Sequence, residues 1–265
     1  MTDEAGVPAP TPAAPATWPR RLRPIAIAAF LCLPAGGLGT RLGLWSFGLG
    51  FGILAAGVLV GLVAGVVGLV VIVKQRRLPR EVKTGGPEAA VVIAVAIILI
   101  FTPFVSTALR VPPIHQVSTD LVDPPTFRAI SDLRGPDANP VVLTTDGADA
   151  QQAYYPWIRP MIVPVRADEA YEAALTVLKE RMVLAIVASD PLERVIEATD
   201  TSFWFGFKDD FVVRVRFDQR GARVDVRSIS RVGQGDLGVN ADRVGRFFAL
   251  LAEEIGYDPG PFESP

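Results

Sequence analysis

Cysteine and histidine are almost missing from this chain: Cys32 and His115 are the only ones among 265 residues. A single cysteine forbids an intramolecular disulfide. One histidine and one cysteine cannot build a zinc site of the usual nitrogen and sulfur type, so no metal centre of that kind is expected. Charge is missing too, over two long stretches. Between Ile25 and Val73 the only ionisable side chains are Arg41 and the Cys32 thiol, and between Ala89 and Leu109 there are none. A bilayer core about 30 Å thick is crossed by roughly 20 apolar helical residues. The second stretch suits one crossing. The first suits two if Gly36, Gly37, Gly39, Thr40 and Arg41 form a turn between them. The expectation is three N-terminal transmembrane helices, at about residues 25–39, 46–73 and 89–109, with a separate domain after them. Ionisable residues inside a membrane mark ion paths and proton relays. Their absence from these runs excludes a pump, transporter or channel and leaves an anchor.

The first span is short, 15 residues or about 22 Å of helix. A cleaved signal peptide is the rival reading, because Arg20, Arg21 and Arg23 precede an apolar run that ends in Pro34-Ala35-Gly36-Gly37. Cys32 is a poor lipid-attachment site, since bulky Phe30 and Leu31 come before it. A retained helix is preferred, because its removal would reverse the second span and put the basic 74–88 loop outside. That loop carries Lys74, Arg76, Arg77, Arg80 and Lys83, whereas the turn at 40–45 carries only Arg41. Lys and Arg resist translocation, so the N-terminus and the 74–88 loop are expected in the cytoplasm and everything after Arg110 outside. Trp18 and Trp45 fall near the membrane edges, where an indole is favoured.

Gly57, Gly61 and Gly65 recur every four residues in the second span. Such a face lets helices approach closely. It suits packing against the other spans of the same chain, or self-association of two copies. Pro103 is expected to kink the third span.

Residues 1–19 are rich in Ala, Pro and Thr and are read as a disordered cytoplasmic N-terminus, 20–110 as the membrane anchor, 111–256 as an extracytoplasmic domain and 257–265 as a flexible tail. From Val111 to the end there are 16 Lys and Arg against 24 Asp and Glu, a net charge of −8. That balance argues against a nucleic-acid partner, which selects basic surfaces.

Within the domain, residues 111–160 are irregular, with Asp123-Pro124-Pro125, Gly135-Pro136 and Asn139-Pro140 as breakers. Met161–Val165 reads as a strand. A helix capped by Asp168 follows, burying Tyr171, Ala174, Leu175, Leu178 and Met182. Val183–Ala188, Arg194–Phe207, Phe211–Phe217 and Ala222–Arg231 read as strands. In the last of these, Arg223, Asp225, Arg227 and Arg231 share what is read as the solvent face. A final helix starts after Asn240, buries Val244, Phe247, Phe248, Leu251 and Ile255, and stops at Gly256. The order β-α-β-β-β-β-α indicates an α+β fold, an antiparallel sheet with helices on one face.

Gly233, Gly235 and Gly238 spell G-x-G-x-x-G between a strand and a helix. A dinucleotide fold needs a parallel strand after that helix, and here the chain ends nine residues beyond Gly256. These glycines are read as a tight loop, and no cofactor is expected.

The run Arg227-Ser228-Ile229-Ser230-Arg231-Val232-Gly233, then Asp236-Leu237-Gly238-Val239-Asn240 and Arg243, resembles the signature of domain-of-unknown-function family 1499. Glu197-Ala198-Thr199, Phe207-Lys208-Asp209-Asp210 with Val213-Arg214-Val215-Arg216, and Ile114-His115-Gln116-Val117-Ser118-Thr119-Asp120 resemble it as well. Gln116 departs from the pattern, which has an acid there. The resemblance covers roughly residues 111–256 and implies a bacterial envelope or related membrane protein. It implies no activity.

Chemistry must then come from the residues. A Ser-His-Asp hydrolase would depend on His115, which is read as structural. Asp209-Asp210 is read as a solvated pair in a hairpin turn rather than a cation site. The remaining candidate is the cluster Arg227, Arg231, Asp236, Asn240 and Arg243. Either Asp236 pairs with an arginine and caps the loop, or the arginines bind an anion such as a lipid head group beside the helix N-terminus. The leading expectation is a non-catalytic binding module of the envelope, with an anionic lipid or envelope protein as partner. The alternative is a hydrolase-like enzyme using carboxylates and Ser228 or Ser230.

Overall fold

The computed structural model describes residues 17–80 and 83–258. The proposed N-terminal and C-terminal tails fall largely outside them. The chain forms two compact units that divide between Thr102 and Pro103.

In the first unit, a short 3-10 turn leads into α1, Leu22–Arg41, followed by α2, Phe47–Gln75, and α3, Pro87–Ala108. All three helices are long and apolar enough to cross a membrane. The expected turn at 36–41 is instead helical, and the chain reverses at residues 42–46. The first span is therefore not short: α1 has 20 residues, about 30 Å. Gly36 and Gly39 can stay helical there because each lets a neighbouring group come close. A side chain at Gly36 would overlap the Gly50 carbonyl, and one at Gly39 would overlap the Trp45 ring. The Trp45 indole and Thr40 hydroxyl both donate to the Gly36 carbonyl, at 3.2 and 2.9 Å, and Ser46 caps α2. Pro103 lies inside α3, which continues to Ala108.

The glycine face of α2 is filled within the chain. A Cβ on Gly57 would sit 2.6 Å from the Ala29 carbonyl of α1, and one on Gly68 would sit 2.7 Å from the Pro87 carbonyl of α3. Gly61 meets Ile97, and Gly65 meets Ala94.

The second unit holds a six-stranded antiparallel sheet. Its strands are β1 Gln116–Ser118, β2 Met161–Val163, β3 Ala185–Asp190, β4 Val195–Thr201, β5 Lys208–Asp218 and β6 Gly221–Ser230. The order across the sheet is β1-β6-β5-β4-β3, and β2 pairs with the other half of the β6 edge. Helix α4, Thr145–Tyr154, precedes β2. Helix α5, Ala167–Thr176, is extended by one π turn, and α6, Val239–Ile255, closes the domain. Asp168 lies in the first turn of α5 rather than at its cap, which is Arg166.

Alternation along the strands sorts the sheet into two faces. Ile196, Ala198, Phe211, Val213, Val215, Val224 and Val226 join Phe247, Phe248 and Leu251 of α6 and Leu178 in the main core. The other face is not solvent, as expected for Arg223, Asp225 and Arg227. Residues 119–142 fold across it and place Phe127 and Ile130 on Val212 and Ile229. This covering segment shows no periodicity because its one regular element is the short 3-10 turn Ser131–Leu133. A segment of this kind carries no period of 2 or 3.6 residues to mark its role.

The edge of β1 is closed from α4. The Gln151 amide accepts from Ser118 N at 2.9 Å and donates to Ser118 O at 2.7 Å. A side-chain amide thus replaces the missing neighbour strand.

Candidate functional site

The five residues singled out in the sequence lie around the end of β6 and the start of α6, but they do not form one group. Strand alternation points Ser228 and Ser230 toward α6, and Arg227 and Arg231 toward the covering segment.

On the α6 side, Asn240 is the hub. It lies inside the first turn of α6, not at its cap as expected; the N-cap is Gly238. The Asn240 amide accepts from Ser228 Oγ at 2.6 Å and from Arg243 Nη1 at 2.6 Å. It donates to the His115 carbonyl at 3.1 Å and to Ser230 Oγ at 3.0 Å. Arg243 also binds Asp209 at 2.6 Å and Asp200 at 3.0 Å. Ser228 is therefore tied to the Asn240 amide and to Arg243, whose Nη1 donates to its Oγ at 3.0 Å, and Ser230 to the amide; neither partner can take a proton from them.

Asp236 pairs with no arginine among the described residues. Its carboxylate accepts from Gly238 N and Asn240 N, each at 2.9 Å, and so caps α6. Burial pushes Asp236 above the usual carboxylate range, against those hydrogen bonds. Gly233 and Gly238 have φ of 93° and 84°, a conformation glycine adopts freely, and Gly235 lies against Pro113. The glycine motif is a turn. Burial also lowers His115, partly offset by Asp236. Tyr155, beside Gly238, is pushed up to about 12 by burial and then by the charges of Asp236 and Asp242.

On the other face, Asp210 is fully buried and is held by Arg134 and by both Nε and Nη2 of Arg231, the latter at 2.8 Å. Thr199 donates to it at 2.9 Å. The expectation of a solvated Asp209-Asp210 pair thus fails. Alternation sends Asp209 to Arg243 on one face and Asp210 to two arginines on the other.

Among the described residues Arg227 has no carboxylate partner. Its guanidinium donates to Gln116 Oε1 at 2.6 Å and to the carbonyls of Val141 and Pro125, and it lies 5.4 Å from the Phe127 ring centroid. Burial, with Arg134 nearby, lowers it to about 10. Glu197, which carried no role in the sequence, accepts from the backbone N–H groups of Arg128, Ala129 and Ile130 at 2.8, 3.1 and 2.8 Å. It pins the covering segment to the sheet. Farther along, Asp225 is fully buried beneath Arg214, Arg216 and Arg223. Asp120 joins Arg216 and Arg223. Burial favours protonation of Asp120, but the Asp123 and Val122 N–H groups and Arg223 outweigh it and hold the carboxyl below its ordinary value.

Adjacent acids and the arginine-rich strand were visible in the sequence. Which acid meets which arginine was not, because Arg134 and Asp210 are 76 positions apart. No group of three or more potential metal-binding side chains occurs among the described residues.

These features define a class: an α+β domain with an internal arginine–carboxylate framework, preceded by three apolar helices. A profile of the family described as Protein of unknown function (DUF1499) matches residues 116–251, just over half of the chain, and the chain belongs to that family. No curated protein matches it. Among solved structures it is similar to the crystal structure of Ara h 8.0201, at 13% identity over 37% of this chain and 95% of that one. The TM-score is 0.28, too weak a likeness to bear on fold or function.

Proposed function

We propose that this is an integral membrane protein that holds an acidic, non-catalytic binding domain on the outer side of the bacterial cytoplasmic membrane, with its N-terminus inside. The basic residues flanking α1 and filling the 74–86 loop support that orientation. The observation that carries the non-catalytic reading is the commitment of the domain's buried carboxylates and serines. Asp210, Asp225 and Glu197 are committed to arginines or backbone N–H groups, and Ser228 and Ser230 to Asn240.

The same pairing disfavours Arg231 and Arg243 as an anion site, since Asp210 and Asp209 already neutralise them. With a net charge of −8 after Val111 and Arg134, Arg227, Arg231 and Arg243 turned inward, the domain suits a protein partner with a basic face better than an anionic lipid head group.

The test uses the full chain in nanodiscs, melted with and without inorganic phosphate, beside an Arg227→Gln/Arg231→Gln variant. The expected result is no phosphate shift and a melting point several degrees lower in the variant. A phosphate-dependent rise that the variant loses would restore the arginines as a binding site. Sidedness is read with Leu192→Cys in a Cys32→Ser background. An impermeant maleimide should label it in intact cells. Labelling only after lysis would reverse the topology.

A further inference from the structure

The β4–β5 connection carries an apolar feature whose tip is exposed. Residues 202–207 read Ser-Phe-Trp-Phe-Gly-Phe, four aromatics in six positions. The loop is closed and shaped: Ser202 N donates to the Phe207 carbonyl at 2.8 Å, and Phe207 N donates to Ser202 Oγ at 2.9 Å. Phe205 and Phe207 stack at 5.0 Å, forming a base. Phe203 and Trp204 meet edge to face at 5.2 Å at the tip, yet remain 67% and 53% exposed. Two large rings held in water by a pinned hairpin are costly unless something covers them.

Topology indicates what lies nearby. The last turns of α3, from Pro103 onward, belong to the same compact unit as the sheet. Helical hydrogen bonding runs to Val111 N, which donates to the Thr107 carbonyl at 3.1 Å. By Ile114 the backbone is already joined to the domain, its carbonyl accepting from Asp236 N at 3.1 Å. Only Pro112 and Pro113 lie between, so the linkage from Val111 to Ile114 spans at most about 10 Å. The end of the sheet where the chain arrives is marked by His115, whose carbonyl accepts from Ser230 N. Register carries that end across the sheet, from Ser230 to Asp209 and from Lys208 to Thr201. The aromatic hairpin therefore projects from the same end, two to three strand spacings from His115, roughly 10–14 Å. Exposed Leu237 and Val239 follow β6 at that end as well.

We propose that the 202–207 hairpin is a membrane-docking element, with Phe203 and Trp204 seated in the interfacial layer of the bilayer that α3 crosses. The chemistry suits an interface: rings with an apolar body and an indole N–H that favours the head-group level. The tip carries no charge of its own, so the contact does not require anionic lipid. It also does not depend on which side of the membrane the domain occupies.

The test is a spin label at Phe203→Cys in the full-length Cys32→Ser chain, in phosphatidylcholine nanodiscs. Its control is Leu192→Cys on the β3–β4 turn at the opposite end of the sheet, a site 87% exposed. Collision with oxygen relative to a water-soluble nickel complex should be several-fold higher at 203 than at 192. Equal ratios would overturn the proposal. So would a 203 label shielded from both reagents, which would mean cover by protein. Both labelled chains must melt as the unlabelled chain does. If Phe203→Cys does not, Trp204→Cys replaces it with the same expected and overturning results.

Discussion

The face of the sheet that meets α5 and α6 and the face beneath residues 119–142 are both covered by chain, but they are held differently. The helix-covered face is closed by apolar volume, with Phe211, Phe247, Phe248 and Leu251 in contact. The other has a small apolar patch around Phe127 and Ile130, and beside it two sets of buried carboxylates clamped by arginines. A regular helix satisfies its own backbone, so it can cover a sheet with side chains alone. An irregular segment cannot. Its backbone groups need partners from the sheet side: Glu197 accepts from the N–H groups of residues 128–130, the Arg231 carbonyl accepts from Asn139 N, and the Arg231 guanidinium donates to the Leu133 carbonyl. The charged framework is the consequence of covering a sheet with coil.

Removing one charge should separate the two faces most strongly. Asp210→Asn leaves two guanidinium groups inside without a carboxylate, and a loss of about 3–5 kcal/mol is expected. For a domain of this size that lowers the melting point by roughly 10 °C. Phe247→Ala should cost a similar amount, about 3–5 kcal/mol, through its cavity. The difference lies in rescue. The triple change Arg134→Met, Asp210→Leu, Arg231→Met should recover most of the loss, because desolvation cancels much of the attraction in a buried ion network. A triple variant as unstable as Asp210→Asn would show that charge contributes net stability on this face.

A smaller effect is expected at Glu197. Glu197→Gln turns an acceptor into a donor that confronts backbone N–H groups, at a cost of about 1–3 kcal/mol. Hydrogen exchange should then rise at residues 128–130 and not in α6. Uniform exchange across both faces would mean that the covering segment is held by Phe127 and Ile130 instead.

The smallest effect is at Gln116. Gln116→Glu gives Arg227 a carboxylate and gives up the bond from Nε2 to the Val142 carbonyl, 2.9 Å long. A net gain of about 1 kcal/mol is expected, read as a rise of a few degrees in melting point. A fall would show that the neutral amide is the better partner for a guanidinium already bound to carbonyl oxygens.

Much of this was legible one segment at a time. The apolar runs located α1, α2 and α3 to within a few residues, and the long strands and α6 followed from periods of 2 and 3.6. The places that misled share a cause. Gly36 and Gly39 looked like a turn because glycine is a poor helix former in water, whereas close helix contact makes them acceptable. Strand β1 and helix α4 were missed because three residues carry no period and α4 has a weakly apolar face. Arg223, Asp225 and Arg227 were placed in solvent because alternation separates the two faces of a strand without saying what covers either.

The sequence by itself determined the spans, the alternation of β4 to β6, the apolar stripe of α6 and the membership in a family, all of which rest on neighbours within a few positions. Only the tertiary structure decided that Asp210 meets Arg134 and Arg231, that Glu197 receives the turn at residues 128–130, and that the aromatic hairpin shares an end of the sheet with the arrival of the chain from α3. Those depend on partners from 21 positions away, as for Asp210 and Arg231, to 115, as for His115 and Ser230, and pairwise attraction at such separations leaves no local pattern to read.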